Sequence, residues 1–433
     1  TLFVSMQELN KGARRPQSVP AVKLKKIGIL GAGFMGAGIA YVSAQAGLDV
    51  VLIDRDQESA DKGKAHAHKL VTDQINKGRA ATTDRDALLA RITPSANYAA
   101  LAGCDLVVEA VFEDRKVKAE ATAKAQAVLP EAVFGSNTST LPITSLAETA
   151  KDPANFIGIH FFSPVDRMML VEIILGKKTG DRALATALDF VRAIRKTPIV
   201  VNDSRGFYTS RVVGTYIREG HLMLAEGVPA AMIENVGRMA GMPVGPLSLN
   251  DEVAVDLAWK ILKATEADLG AAAVDRRQKA LLSEMVEKLG RLGRKNGKGF
   301  YDYPEKGQKR LWPGLADLQK TKLDPDRIDV RQLKDRLLAI QALETARCFE
   351  EGVLTDVREA DVGSILGFGF APFSGGTLSY IDMMGVKRFV ALCEGLARAC
   401  GERFAPSPLL LDLAAKSETF YGRFAPDRRK AAA

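Results

Sequence analysis

Hydrophobic and polar positions divide the chain into two regimes. From Lys23 to about Gly206, short apolar runs alternate with longer helical periodicities. KKIGIL, LDVVLIDRD, DLVVEAV, AVFGSNTS, FIGIHFF and LVEII each read as a strand. Helical patterns separate several of them, including a glycine-led helix to Gln45 and a long polar stretch over 57–78. Strands that alternate with helices predict a parallel, doubly wound sheet. After PIVVNDSRG the strand signals stop. Residues 207–290 carry long helical periodicities, interrupted by the breaker cluster GMPVGP at 241–246, and GRKNGKGFYDYP closes the region. Residues 305–330 are polar and broken by Pro313 and Pro325, as a linker would be, and helical patterns resume from Arg331. The opening 22 residues, basic and containing proline, also read as a linker.

The helical part repeats itself. Glu219 and the LAEGV at 224–228 have counterparts 125 residues later in Glu344 and the FEEGV at 349–353. Gly241 and Pro246 match Gly367 and Pro372 with one further residue of offset. Ordered agreement of this kind predicts a duplicated helical domain. The expected division is a linker over 1–22, a nucleotide-binding domain over 23–205, a helical domain over 206–305, a linker over 306–330 and a second helical domain over 331–433. The fold class expected is an α/β Rossmann-type doubly wound sheet followed by two all-α domains.

Composition narrows the function classes. Hydrophobic residues make up 47% and charged residues 26% of the 433, as in an ordinary globular protein of two or three domains. Aromatics at 6% offer no stacking platform for nucleic-acid bases. The net charge of +8 is spread among acidic residues with no basic block, which reads first as a solvated mixed surface and second as a preference for phosphate-bearing ligands. Cys104, Cys348, Cys393 and Cys400 show no CxxC pair and no metal spacing, so a reducing compartment is expected and no metal. No apolar run approaches the roughly 18 residues of a membrane span.

Gly31-Ala32-Gly33-Phe34-Met35-Gly36 follows a strand and opens a helix. Gly31 permits the tight turn, Gly33 lets the backbone approach a pyrophosphate, and Gly36 lets the helix lie close on the strand. The helix N-terminus then offers unpaired N–H groups to the phosphates. The second strand ends in Asp54, about twenty residues on, where an acid accepts hydrogen bonds from ribose hydroxyls. The same charge repels a 2′-phosphate, so NAD is expected over NADP despite Arg55.

Ligands of an open parallel sheet sit beyond the carboxyl ends of its strands. Of the four histidines only His160 ends an apolar strand; His66 and His68 lie in a polar helix and His221 in a helical stretch. A lone histidine there fits a satisfied core residue as well as a base. Glu172 stands inside MMLVEIILG, where a carboxylate needs a partner, and an imidazole suits it. An edge-strand, solvent-facing Glu172 is the alternative. Ser139, in GSNTST, either bonds a substrate oxygen or caps the following segment. Glu113 and Lys118 read as an exposed helix start with an ion pair.

GAGFMGAGIA, DLVVEAVFEDRKVK, SNTSTL, GIHFFSPVDRMMLVEII, DSRGFYTSRV, GMPVGP and GKGFYDY together resemble the 3-hydroxyacyl-CoA dehydrogenase family, as found in the dehydrogenase part of bacterial multifunctional fatty-acid oxidation α-subunits. The resemblance covers nearly the whole chain. It implies NAD-dependent oxidation of (S)-3-hydroxyacyl-CoA to 3-ketoacyl-CoA in β-oxidation, with His160 as base, Glu172 as its orienting acid and Ser139 on the substrate hydroxyl. It implies cofactor contacts from Gly31, Gly33, Phe34, Met35, Gly36, Asp54, Glu113, Lys118, Ser139 and Lys295. Contacts to coenzyme A would come from Lys77 and Lys118. The family commonly has Asn within GFxxNR, where this chain has Ser210, a shorter group without the amide fork. The implied partners are an acyl-CoA substrate and a thiolase subunit. The multifunctional members carry an enoyl-CoA hydratase domain ahead of the dehydrogenase, and none precedes it here. With no initial Met, an excised piece with a bacterial cytoplasmic setting is expected, while a mitochondrial or peroxisomal one stays open. Two other readings compete: a different β-hydroxyacid dehydrogenase, and a non-catalytic NAD-binding relative.

Overall fold

The computed structural model describes residues 2–426. It divides into two compact units. The first holds the described residues up to Ser210, Cys348–Phe368 and the described residues from Phe424; the second holds Arg211–Arg347 and Gly369–Arg423.

The first unit is built on an eight-stranded sheet in the order β3-β2-β1-β4-β5-β6-β7-β8. The strands are β1 (Lys26–Leu30), β2 (Asp49–Ile53), β3 (Ile92–Ser95), β4 (Leu106–Glu109), β5 (Val133–Ser136), β6 (Phe156–Phe161), β7 (Leu170–Leu175) and β8 (Thr197–Asn202). Apart from Leu175 at the end of β7, their Val, Ile, Leu and Phe side chains are buried on both faces, which is why these segments read as continuous apolar runs without polar alternation. Chain direction across the sheet reverses between β1 and β4, the switch point where an α/β sheet opens a ligand crevice. β3 gave no strand signal, because Thr93, Pro94 and Ser95 follow its one buried residue, Ile92.

The sheet departs from the all-parallel expectation at one place. β6 and β7 are antiparallel, with His160 opposite Glu172, while β7 and β8 are parallel. Only residues 162–169 connect β6 to β7, too few for a parallel crossover, which needs about a dozen or more.

The helices of this unit begin with α1 (Leu2–Asn10), inside the stretch expected to be a linker. Leu9 and Ser5 are buried, Glu8 accepts from Arg358 Nη1 at 2.8 Å and Arg15 pairs with Asp189 at 2.8 Å, so the segment is docked. The basic and proline residues that follow, from Lys11 to Pro20, obscure the short LFVSMQEL helix. α2 (Phe34–Gln45), α3 (Gln57–Asn76), α4 (Thr82–Ala90), α5 (Arg115–Val128), α6 (Ile143–Ala147) and α7 (Asp181–Ala193) follow. α8 (Thr209–Ala225) starts at the end of this unit.

The second unit is helical: the rest of α8, α9 (Ala230–Met239), α10 (Pro246–Val253), α11 (Val255–Leu269), α12 (Arg276–Ser283) and most of α13 (Val330–Glu350). α14 (Val357–Phe368) belongs to the first unit, and α15 (Thr377–Met384), α16 (Val386–Cys400) and α17 (Pro408–Lys416) to the second. A two-stranded ribbon pairs Tyr301–Asp302 with Arg310–Leu311, and Leu315 is buried, so the stretch expected as a linker over 306–330 is partly structured. Among the described residues no helix is long and apolar enough to cross a membrane.

Candidate active site

The glycine loop lies at the carboxyl end of β1. Gly31 has φ +91°, and a Cβ there would meet the Ala110 carbonyl oxygen at 2.6 Å, so only glycine fits beneath the end of β4. A Cβ on Gly36 would lie 1.8 Å from the Gly31 oxygen; its absence lets α2 start against the strand. Gly33 is exposed with open space around it, which leaves backbone room for a pyrophosphate. Phe34 and Met35 form the first turn of α2, where backbone N–H groups lack helical partners. Asp54 follows β2; its Oδ2 accepts from Ala32 N at 2.6 Å and its Oδ1 from Arg55 N at 2.7 Å, which ties the acid to the loop. These features fit a bound dinucleotide.

β4, β5 and β6 end along the same edge. Glu109, the last residue of β4, is buried and accepts both from Lys118 Nζ, at 3.1 and 3.0 Å, and from the Ser136 hydroxyl. Lys118 also pairs with Glu113 at 3.2 Å. The ion pair read from the sequence is therefore present, but Lys118 is only 2% exposed and not at the surface. Glu113 Oε1 accepts from Thr138 Oγ1 at 2.6 Å, Ser139 N at 3.0 Å and Thr140 N at 3.2 Å, so one carboxylate organises the turn after β5. Burial pushes the Glu113 carboxyl up, but the Lys118 charge and the bonds from Thr138, Lys118 and Ser139 outweigh it and leave it below the usual range. Asn137 Oδ1 accepts from Phe161 N at 2.8 Å and thereby links the Ser139 turn to the end of β6.

His160 and Glu172 face each other across the antiparallel pair, because opposite residues project to the same side of a sheet. His160 Nδ1 lies 2.9 Å from Glu172 Oε2, and both side chains are buried. The ring is flanked by Phe162 at 4.6 Å and Phe207 at 6.0 Å between centroids. A proton on Nδ1, donated to the carboxylate, leaves the Nε2 lone pair to accept one from a ligand. Glu172 Oε1 accepts from Tyr208 N at 3.0 Å and Thr209 N at 3.1 Å, and Oε2 accepts from Thr209 Oγ1 at 2.7 Å. The solvent-facing alternative for Glu172 is thereby excluded.

The other residues singled out in the sequence are dispersed. Ser210 is half-buried and follows Thr209 on the first turn of α8. Lys77 is exposed at the end of α3. Lys295 is exposed in the second unit, where it pairs with Asp256 at 2.5 Å. Sequence reasoning missed Glu109, Asn137, Thr138, Tyr208 and Thr209. For Glu109 a signal existed: like Glu172, it is a carboxylate inside an apolar run, which requires a buried partner.

Comparison with known proteins identifies the family. The model described as 3-hydroxyacyl-CoA dehydrogenase, NAD binding domain, matches residues 26–204, and that described as 3-hydroxyacyl-CoA dehydrogenase, C-terminal domain, matches 206–303. The fatty acid oxidation complex subunit alpha of Shewanella amazonensis is 36% identical over 424 residues, 97% of this chain and 59% of that protein. Its counterpart in Shewanella frigidimarina is also 36% identical, over 431 residues. The chain thus spans 59% of the length of these curated relatives. The crystal structure of (S)-3-hydroxybutyryl-CoA dehydrogenase from Ralstonia eutropha is 33% identical, matched over its full length by 65% of this chain, with a TM-score of 0.61. A 3-hydroxybutyryl-CoA dehydrogenase from Escherichia coli shares the fold over 92% of this chain and 99% of its own, with a TM-score of 0.79 at 24% identity. The glycine cradle with its acid and the domain-length matches together make the chain a member of the 3-hydroxyacyl-CoA dehydrogenase family, whose NAD-dependent oxidoreductases share its NAD-binding domain.

Proposed function

We propose that this chain oxidises the 3-hydroxyl of a 3-hydroxyacyl-CoA, as one step of fatty-acid β-oxidation, with His160 as the general base. The observation that carries the reading is the buried 2.9 Å contact between His160 and Glu172, at the sheet edge that also bears the glycine loop. His160 Nε2 takes the hydroxyl proton, and Glu172 stabilises the imidazolium that forms. NAD, held by the glycine loop and Asp54, supplies the hydride acceptor when bound. Ser139, on the turn that Glu113 fixes, holds the substrate oxygen. Lys118 acts through Glu113, since its ammonium is already engaged by two carboxylates. Ser210 takes the place of the family's Asn. Lys77 has the exposure needed to meet a coenzyme A phosphate.

The helical region supports a duplicated domain, with the boundaries given above. α11 and α16 are both 15 residues long; each follows a residue with φ near +90°, Ala254 and Gly385, and each ends at a positive-φ glycine, Gly270 and Gly401. Arg211 pairs with Glu344 at 2.6 Å and Arg336 with Glu219 at 2.6 Å, and each residue of one pair lies 125 positions from its counterpart in the other. Reciprocal contacts of this kind mark a two-fold relation. The second copy therefore takes the place of a partner subunit, and a stable dimer through the helical face, seen by solution mass, would contradict this. A thiolase as partner and a bacterial cytoplasmic setting complete the proposal.

The test is to mix the purified chain with acetoacetyl-CoA and NADH and follow loss of NADH absorbance, with NADPH as the comparison. Consumption of NADH well above that of NADPH is expected. No consumption, with NADH binding intact, would overturn the reading.

A further inference from the structure

Glu172 is held by more than its histidine. Its four acceptor contacts come from His160 on β6 and, for the other three, from the start of α8 and the residue before it: Tyr208 N, Thr209 N and Thr209 Oγ1. The two amides hold Oε1. The Thr209 hydroxyl and His160 share Oε2, so the hydroxyl fixes the direction from which that oxygen meets the ring. Thr209 is 1% exposed and Tyr208 fully buried, so neither contact competes with water.

This corner is braced from behind by α14, about 150 residues further along the chain and in the same unit. The Tyr208 hydroxyl donates to the Ala360 carbonyl at 2.7 Å. Two glycines let the helix come this close. A Cβ on Gly363 would lie 2.9 Å from Tyr208 Cε1 and 2.8 Å from Ile199 Cδ1. One on Gly367 would lie 3.2 Å from Thr209 Cγ2 and 2.8 Å from Leu170 Cδ2. Leu170 begins β7, the strand that carries Glu172. Both supports of the carboxylate, α8 and β7, therefore rest on one face of α14.

We propose that Thr209 is a positioning residue for the His160–Glu172 pair, and that α14 keeps it in place. Thr209 touches neither substrate nor cofactor in this account and acts through Glu172 alone. The inference rests on the dehydrogenase reading for its effect on turnover, but the geometry can be tested without turnover.

Thr209→Val preserves shape and the backbone amide and removes only the hydroxyl; Thr209→Ser restores it. Two measurements separate the inference from the reading beneath it. In the ligand-free protein, the downfield proton resonance of His160 Nδ1–H, assigned by its loss in His160→Gln, reports the bond to Glu172. With acetoacetyl-CoA and NADH, kcat and KM report the chemistry. For Thr209→Val the resonance is expected to broaden or move. kcat should fall about tenfold, less than the ~10²-fold that an ångström of misplacement costs, with KM within about twofold of wild type. Thr209→Ser should recover both, and Gly367→Ala should reproduce the kcat loss without altering any residue that contacts Glu172. An unchanged resonance in Thr209→Val, or a kcat within about twofold of wild type, would overturn the proposal, as would failure of Thr209→Ser to rescue. If the wild-type protein does not turn over, the reading of function fails while the resonance still decides the role of Thr209.

Discussion

Replacing Glu172 with Gln tests the dyad with little change of shape. The carboxylate accepts four hydrogen bonds, and the amide can accept on only one of its two atoms. The two backbone amides at Oε1, 3.0 and 3.1 Å away, can only donate, so they claim the amide oxygen. The NH2 group must then take the position of Oε2 and face His160 Nδ1. It donates there, so the ring proton moves to Nε2 and the nitrogen that should accept the substrate proton becomes a donor. A wrong tautomer of this kind costs about 10⁴-fold, and loss of a positioned acid–base group about 10²- to 10⁴-fold. The expected fall in kcat is in that range, or about 3 to 5.5 kcal/mol of barrier. Stability should drop by about 1–3 kcal/mol, because the Thr209 hydroxyl loses its acceptor. Rapid-mixing measurement of NADH oxidation by acetoacetyl-CoA reads the first effect; an NADH fluorescence titration should show unchanged affinity. Turnover within about tenfold of wild type in a folded variant would refute the tautomer argument.

Three further outcomes follow from the geometry. Gly36→Ala places a methyl 1.8 Å from the Gly31 oxygen, so α2 must shift; NAD affinity should fall and thermal stability drop by about 1–3 kcal/mol, and an unchanged dinucleotide titration would contradict the cradle. Asp54→Ala removes the acid that repels a 2′-phosphate beside Arg55, so NAD affinity should fall about tenfold while NADP affinity holds or rises; equal losses for both would contradict its ribose role. Glu359 is fully buried, and burial raises its carboxyl to about 8 although Arg14, 3.7 Å away, opposes the shift. Because its folded value lies above the unfolded one of about 4.3, wild-type stability declines as pH rises from there toward 8. Glu359→Gln removes that loss, so its gain in melting temperature should be larger at pH near 8 than near 5, and the opposite trend would refute the burial argument.

The sequence made the sheet, the glycine loop and Asp54 readable because each obeys a local rule: an apolar run, a turn that needs glycine, an acid at a strand end. The pairing of His160 with Glu172 was also within reach, since a carboxylate in MMLVEIILG needs a buried partner. The reason for the twelve-residue spacing was not seen, although the short 162–169 connection already required antiparallel strands. Lys118 looked exposed because its helix is polar overall, and its burial depends on Glu109, which belongs to a strand. The support from Tyr208, Thr209 and α14 joins residues about 150 positions apart, and no local pattern records that contact. α1 was obscured by the basic, proline-containing residues that follow it.

The central claim is that His160 moves the proton in the chemical step. Single-turnover NADH oxidation by acetoacetyl-CoA in His160→Gln, with NADH binding measured on the same sample, addresses it most directly. The account predicts a fall of at least about 10²-fold in the rate with cofactor affinity unchanged. A near-normal rate with NADH bound would contradict it.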